Sequence, residues 1–381
     1  SGVTINVQEQ LTSGTDAALT AEWRVGPSNV LRANFLYVDT VAYRSNNRMS
    51  VAFGAGATGG SDFVQGAATG VGESSFGNPL TAQVNSKTIQ LNLGYGYKHG
   101  NWKADINGFL ARNRSAGRDI DQGFFNVGNL DISNLVIRGD GLYAGLPKSA
   151  LPRQLSAFDR SGQPVDLFDG GIYSVNRAIS RQSDGTDAKS GLKADVTREF
   201  GSRFALKAGV AVNVQDRDYR ENFRRWDFRP GTTRIVRQAG NYDLIDPVYS
   251  RTAQNYFPGQ QVQWPSLEKL YQLFKAQPQY FVLNEPISYS GSVTPSKKLQ
   301  EMITAAYVRA DVKAIDNRLW LVGGVRFEKT DDEGWGPLDE ISATFQKDSS
   351  GKLLRDAAGN LVPVVGTALE RQILRFQYRG A

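Results

Sequence analysis

Apolar and polar residues alternate with period two through much of this chain, and the alternation marks out its strands. In Thr88–Lys98 the residues Ile89, Leu91, Leu93, Tyr95 and Tyr97 share one side, and Gln90, Asn92, Gly94, Gly96 and Lys98 share the other. That is the pattern of a strand with one apolar face. After a tight turn at Lys98–Asn101, Trp102, Ala104, Ile106, Gly108 and Leu110 oppose Lys103, Asp105, Asn107, Phe109 and Ala111, which completes an antiparallel hairpin. A second hairpin sets Leu192, Ala194 and Val196, then Phe204, Leu206, Val210, Val212 and Val214, against Lys193, Asp195, Glu199, Lys207 and Asn213. A third sets Ala306, Val308, Ala310 and Val312 against Tyr307, Arg309, Asp311 and Lys313, and its return strand sets Leu319, Leu321, Val325 and Phe327 against Arg326 and Glu328. The hairpin nearest the N-terminus is less regular: Leu31, Ala33, Phe35 and Tyr37 oppose Arg32 and Asn34, but Leu36 and Val38 interrupt the polar side. Ala17–Val25 is counted as the outgoing strand of that hairpin, and an extra strand at Val3–Leu11 with one near Glu370 in ERQILRFQY brings the expected number to roughly nine or ten.

The connections sort into two kinds. Tight turns fall at Gly26–Asn29, Lys98–Asn101, Phe200–Arg203 and Ile315–Asn317, and long excursions at Tyr43–Ser86, Ala116–Asp187 and Arg220–Glu301. Short turns alternating with long loops are the plan of an outer-membrane barrel. A sandwich in water shows the same alternation along each strand. Three features favour the barrel: small residues on the apolar side (Ala104, Gly108, Ala306, Ala310), strands of about 11 to 15 residues, and three connections longer than compact domains usually carry. The expected fold is therefore all-β, a transmembrane antiparallel β-barrel with long extracellular loops in a bacterial outer membrane. Residues 1–381 then form part of one larger barrel domain, with no plug domain inside the chain.

Composition narrows the chemistry. No run of about 18 apolar residues exists for a transmembrane helix, and mean hydropathy is −0.39. Cysteine is absent, so disulfides and thiolate chemistry are excluded. The one histidine, His99, lies in a tight turn, without a second imidazole for a zinc site or triad. Acidic stretches at Asp184–Asp187 and Asp159–Asp169 lack the spacing of a calcium loop. The glycine-rich Gly54–Gly60 lacks the strand-to-helix context of a phosphate cradle. No enzyme activity, metal or cofactor is expected. With 44 basic and 38 acidic side chains interspersed, nucleic acid is not an expected partner either. The N-terminus has no basic and apolar blocks of a signal peptide, as in a processed chain or an internal fragment.

Candidate functional residues form three groups. Arg217, Arg220, Arg224, Arg225 and Arg229 are interleaved with Tyr219, Phe223, Trp226 and Phe228 in an expected outer loop. Guanidinium groups grip carboxylates or phosphates and aromatic rings stack on sugars or planar ligands. The same residues also suit a solvated, loop-bracing surface neutralised by Asp216, Asp218, Glu221 and Asp227. WPSLEKLYQLFKAQP reads as a short helix capped by Ser266 and limited by Pro278. Its apolar face (Leu267, Leu270, Tyr271, Phe274) either packs on neighbouring loops or serves as a lid. Lys103, Asp105, Lys193, Asp195, Arg309, Asp311, Arg326 and Glu328 are expected to face a barrel lumen in cross-strand networks.

The segment AAYVRADVKAIDNRLWLVGGVRFEKTDDEG, Ala305–Gly334, resembles a barrel hairpin of TonB-dependent outer-membrane receptors in its AYV...ADV strand, its turn at Asp316–Leu319 and its VGGVRFE strand at Val322–Glu328. Lys189–Val212 has a weaker version of that texture. The resemblance implies a receptor or transporter for energised uptake of a scarce ligand, such as a metal chelate or carbohydrate. Its partners would be outer-membrane lipid and, through a plug outside this chain, a TonB-type energy-coupling protein. The alternatives are a passive porin-like channel and a structural or adhesive barrel that binds a surface or periplasmic protein.

Overall fold

The structure, a computed structural model, describes all residues except 1, 55, 69–72, 78–80, 143–151, 258, 317, 339–344, 358–361, 363–371 and 381, with the backbone alone for 338 and 372–380. The alternating segments form nine long strands: β1 (Gly2–Val25), β2 (Asn29–Ala52), β3 (Ala82–His99), β4 (Trp102–Arg118), β5 (Ser174–Phe200), β6 (Phe204–Phe228), β7 (Lys297–Ala314), β8 (Leu319–Leu338) and β9 (Gln372–Gly380). Each pairs antiparallel with the next, in one meander. Val3–Leu11 and Ala17–Val25 are thus one strand. Gly26, Gly100 and Gly201 turn three of the hairpins with φ of 77°, 54° and 70°, where a Cβ would be penalised. The fourth turn holds Ile315 and Asp316 at φ 49°, and its expected end, Asn317, lies outside the described residues.

The meander is open. Among the described residues β1 pairs only with β2 and β9 only with β8, so the sheet does not close, and the expected transmembrane barrel with its lumen is overturned. Period two specifies that a strand has two unlike faces, but it says nothing of whether the first and last strands meet. The long excursions are also shorter than expected, because β4, β5 and β6 run on into them. There polar side chains on adjacent strands pair across the sheet: Arg118 with Asp184 at 2.6 Å, Arg181 with Glu221 at 3.0 Å and Arg217 with Asp187 at 3.0 Å.

What remains of the connections folds into a cap. Two short strands, Ser74–Gly77 and Val127–Ile132, pair with each other and fill the lane between β2 and β5 beyond the ends of β3 and β4. They run in line with β3 and β4, and on the β4 side the strand is interrupted between Arg118 and Val127 by a short turn at Ile120–Gln122. A separate five-stranded sheet (Thr58–Gly59, Phe63–Gln65, Val136–Asp140, Gln154–Phe158, Pro164–Val165) and three helices, α1 (Pro247–Thr252), α2 (Leu267–Ala276) and α3 (Glu285–Val293), complete it. Phe76, Phe125, Tyr173, Phe228 and Trp264 are buried at its centre. Phe76 meets the Tyr173 ring edge-on at 4.6 Å, and the Tyr173 hydroxyl hydrogen-bonds Ser74 Oγ and the Leu167 carbonyl, each at 2.8 Å. No helix among the described residues is long and apolar enough to cross a membrane.

Candidate functional site

Continuous register sorts the meander side chains onto two faces. On the first, the row Trp23, Leu31, Tyr95, Ile106, Ala194, Val210, Ala306, Phe327 crosses eight strands without a charge. The next two rows, one through Ala21, Ala33, Leu93 and Gly108 and one through Leu19, Phe35, Leu91 and Leu110, continue it as far as β7 and meet Lys329 and Asp331 on β8. Toward the hairpin turns the apolar band ends at Trp102, Phe200 and Phe204, where the Arg198 guanidinium lies 4.9 Å from the Trp102 ring and 4.8 Å from that of Phe200. Toward the cap charges enter at Arg112, Asp216 and Glu333, and one row further the band ends at Asp39, Lys87, Arg114, Thr186, Asp218 and Lys298. On β5 the band runs from Ala188 to Arg198, roughly 33 Å of extended chain. Beyond the charged row, the same side of the sheet carries Met49, Val51, Trp226 and Phe228, which the cap buries. The band itself is uncovered among the described residues: Leu19 is 67%, Trp23 65% and Val325 80% exposed.

The second face carries the networks expected of lumen-facing residues, on an open sheet instead of inside a barrel. Lys193 and Lys207 flank Asp195 at 3.1 and 3.8 Å, and the Tyr307 hydroxyl donates to the same carboxylate. Arg309 holds Asp311 with two bonds of 3.0 and 2.6 Å. Arg326 Nε donates to Glu328 at 3.1 Å, and Lys103 pairs with Glu199. Asp105 stands opposite Asp195 in register.

The arginine-rich segment is not an outer loop. It is the upper half of β6, so its side chains part to opposite faces. Arg217, Tyr219 and Arg225 lie with the networks, while Arg220, Arg224 and Trp226 lie on the other side. Arg220 and Arg225 are held by Asp218 at 2.7 Å and Asp227 at 2.9 Å, and exposed Arg229 lies just beyond the strand, 3.9 Å from Asp227. Trp226 is core, with ring centroids 5.6 Å from Phe125 and 5.2 Å from Phe274. Helix α2 forms where expected: Ser266 accepts from the Lys269 N–H at 3.2 Å. Its Leu267 and Leu270 are buried and its Tyr271 and Phe274 stack edge-on against Phe125, so it is an anchored part of the core instead of a lid.

Two devices escaped the sequence reading. Asp119 sits where β4 leaves the sheet and is fully buried. Its carboxylate accepts from Ile120 N at 2.6 Å, Ser180 Oγ at 2.8 Å and Arg181 N at 2.6 Å, replacing the lost ladder to β5. Burial pushes its pKa above the ordinary aspartate value, and the three donors offset part of that rise. The second device is a serine ladder. Ser288 and Ser292 of α3, with Ser296 one turn further, accept from the N–H groups of Arg225, Phe223 and Glu221 at 3.0, 3.0 and 2.9 Å. The hydroxyls thereby satisfy an edge of β6 that β7 does not reach.

Beside the ladder, on the polar face, lies a hollow of about 650 Å³. Its floor is made of small residues, including Ser115, Gly185 and Gly336, and its sides of Arg217, Tyr219 and Lys297. Of the sequence candidates, only Arg217 and Tyr219 meet here. Lys297 was missed because it directly follows the ladder in a segment read as loop. Among the described residues no group of three or more His, Cys, Asp or Glu is placed to hold a metal.

Compared with known proteins, the chain matches no protein family, no curated protein and no solved structure. With the sheet open, the resemblance of Ala305–Gly334 to TonB-dependent receptors is therefore not sustained. The outer-membrane placement, the energised uptake and the porin-like and adhesive-barrel alternatives built on a closed barrel are set aside with it.

Proposed function

We propose that this chain is a non-catalytic binding protein whose apolar sheet face rests against lipid acyl chains while its cap and polar face meet water. The apolar band, charge-free across eight strands in the row through Trp23 and Phe327 and interrupted toward the cap on β8 by Lys329 and Asp331, carries this reading. Exposed apolar patches beyond a few hundred Å² mark interaction surfaces, and a band crossed by eight strands far exceeds that. Acyl chains are favoured over a folded protein surface by the borders. Aromatic rings with an arginine over them suit a boundary between apolar and wet surroundings, and the opposite border is a row of charges. Bare strand edges are costly in hydrocarbon, so contact is through the face, with the edges of β1 and β8 paired or wet.

The six tryptophans supply the test. Trp23 and Trp102 lie on the band, Trp335 lies in register with Lys298 at its charged border, Trp226 and Trp264 are buried in the cap, and Trp320 lies on the polar face opposite Lys313. Vesicles of phosphatidylcholine brominated on the acyl chains should quench the fluorescence of the bound full chain, and Trp23→Phe/Trp102→Phe should remove most of that quenching. Equal fluorescence on brominated and ordinary vesicles, or quenching unaltered in the double variant, would sink the reading. Light scattering on the same samples separates lipid contact from packing of two copies face to face.

A further inference from the structure

We infer that the hollow on the polar face is a binding site for a small sugar acid, its carboxylate held by Arg217 and Lys297 and its ring resting on Tyr219. The site lies on the face opposite the apolar band and does not depend on the lipid reading.

The register builds it from two adjacent rows. One runs Asp187, Arg217, Leu299, Gly334 and the next Ser115, Gly185, Tyr219, Lys297. Arg217 and Lys297 are therefore diagonal neighbours on paired strands, close enough for two long side chains to reach one anion. Both have spare donors. Arg217 gives its Nε to Asp187 at 3.0 Å, its side chain stays 53% exposed, and no partner occupies its Nη groups among the described residues. Lys297 has no ion-pair or hydrogen-bond partner among the described residues. Asp187 is already satisfied by Arg217 and by the Gln215 amide at 2.9 and 3.0 Å, so its charge is spoken for and the rim keeps a surplus of cation. A guanidinium fork with free terminal nitrogens suits a planar carboxylate.

The body of the ligand is set by the remaining walls. The Tyr219 hydroxyl is fixed on Glu221 at 2.9 Å, which holds the ring in place as a platform. A Cβ added to Gly185 would sit 2.8 Å from Ser115 Oγ and 3.6 Å from the Tyr219 ring, so the missing side chain leaves the floor open beneath that ring. The Ser115 hydroxyl, in the same row, offers a donor and an acceptor to a ligand rich in hydroxyls. Sites for small ligands commonly span about 300–1,000 Å³, and the hollow falls inside that range.

Calorimetric titration of the full chain with D-glucuronate, with D-glucose as the neutral comparison, tests the assignment. Glucuronate should bind and glucose should bind at least about tenfold more weakly, since a charge-assisted bond is worth about 1.5–3 kcal/mol. Arg217→Met and Lys297→Met should each weaken glucuronate by about tenfold or more. Both variants should fold, because Gln215 still holds Asp187 and Lys297 braces nothing. Gly336→Leu is the independent check. A Cβ there has open space, with only the Ser296 carbonyl at 3.9 Å, so the leucine fills the hollow and should abolish binding without moving the melting temperature. Equal affinity for glucose and glucuronate, undiminished binding in Gly336→Leu, or no glucuronate binding by the parent chain would each overturn the site.

Discussion

At the scale of single residues, two positions store cost that a substitution can release or expose. Ile315 is a β-branched residue at φ 49°, a conformation that glycine and asparagine adopt far more readily. Ile315→Asn should raise stability by about 1 kcal/mol, read as a higher urea midpoint with an unaltered slope. Asp119 carries a pKa raised by burial. The sign follows from linkage: a raised folded value favours the protonated carboxyl, so that contribution is full below the ordinary aspartate pKa of about 3.9 and fades as pH rises through the raised value. Asp119→Asn stays neutral throughout. Its stability should fall less between about pH 4 and 7 than that of the parent, by urea titration at several pH values. Single residues were also where sequence reading was weakest. Trp226 and Arg224 share a face of β6, yet one is core and the other exposed, because the cap that covers Trp226 comes from segments distant in sequence.

At the scale of elements, local chemistry was legible and remote pairing was not. The turns, the hairpins and the Ser266-capped helix were readable because their determinants lie within a few residues of one another. Ser74–Gly77 and Val127–Ile132 were not. They are too short for a period to show, and the first pairs with β2, the second with β5 and each with the other across a long stretch of chain. The serine ladder of α3 was hidden for a related reason: its spacing of four is visible, but its partners on β6 lie 63, 69 and 75 residues earlier. Four helical residues rise about 6.0 Å and two strand residues about 6.6 Å, so rungs drift by roughly 0.6 Å each and only a few can form. Ser288→Ala/Ser292→Ala should leave the Arg225 and Phe223 amides without acceptors, at about 1–3 kcal/mol apiece. Hydrogen exchange of a peptide covering Glu221–Phe228 should accelerate, while that of the β4–β5 ladder stays unaltered.

At the scale of the molecule, alternation along the strands foretold the two faces but not the open sheet, since closure depends on edges that no local pattern describes. The outer edge of β1 offers a long run of ladder positions, and the strand contains neither lysine nor proline, two residues that commonly blunt such edges. The chain should therefore self-associate with rising concentration, and Thr12→Lys, on the polar face of that strand, should lower the associated fraction in sedimentation velocity without altering the melting temperature. The lane between β2 and β5 has a mechanical meaning as well. Its β4 strand stops at Arg118 and its continuation restarts at Val127, and beside that interruption lie the paired Thr81 and Asn126 backbones at 3.0 Å and the buried Asp119. A plate scored part-way across bends along the score, because stiffness grows steeply with the material left uncut. Thermal bending of this sheet should concentrate there, so spin labels placed above and below the break on β4 and its continuation will show a broader distance distribution than labels equally spaced within β5. The cap and the lower sheet are in that sense two stiff panels sharing a crease.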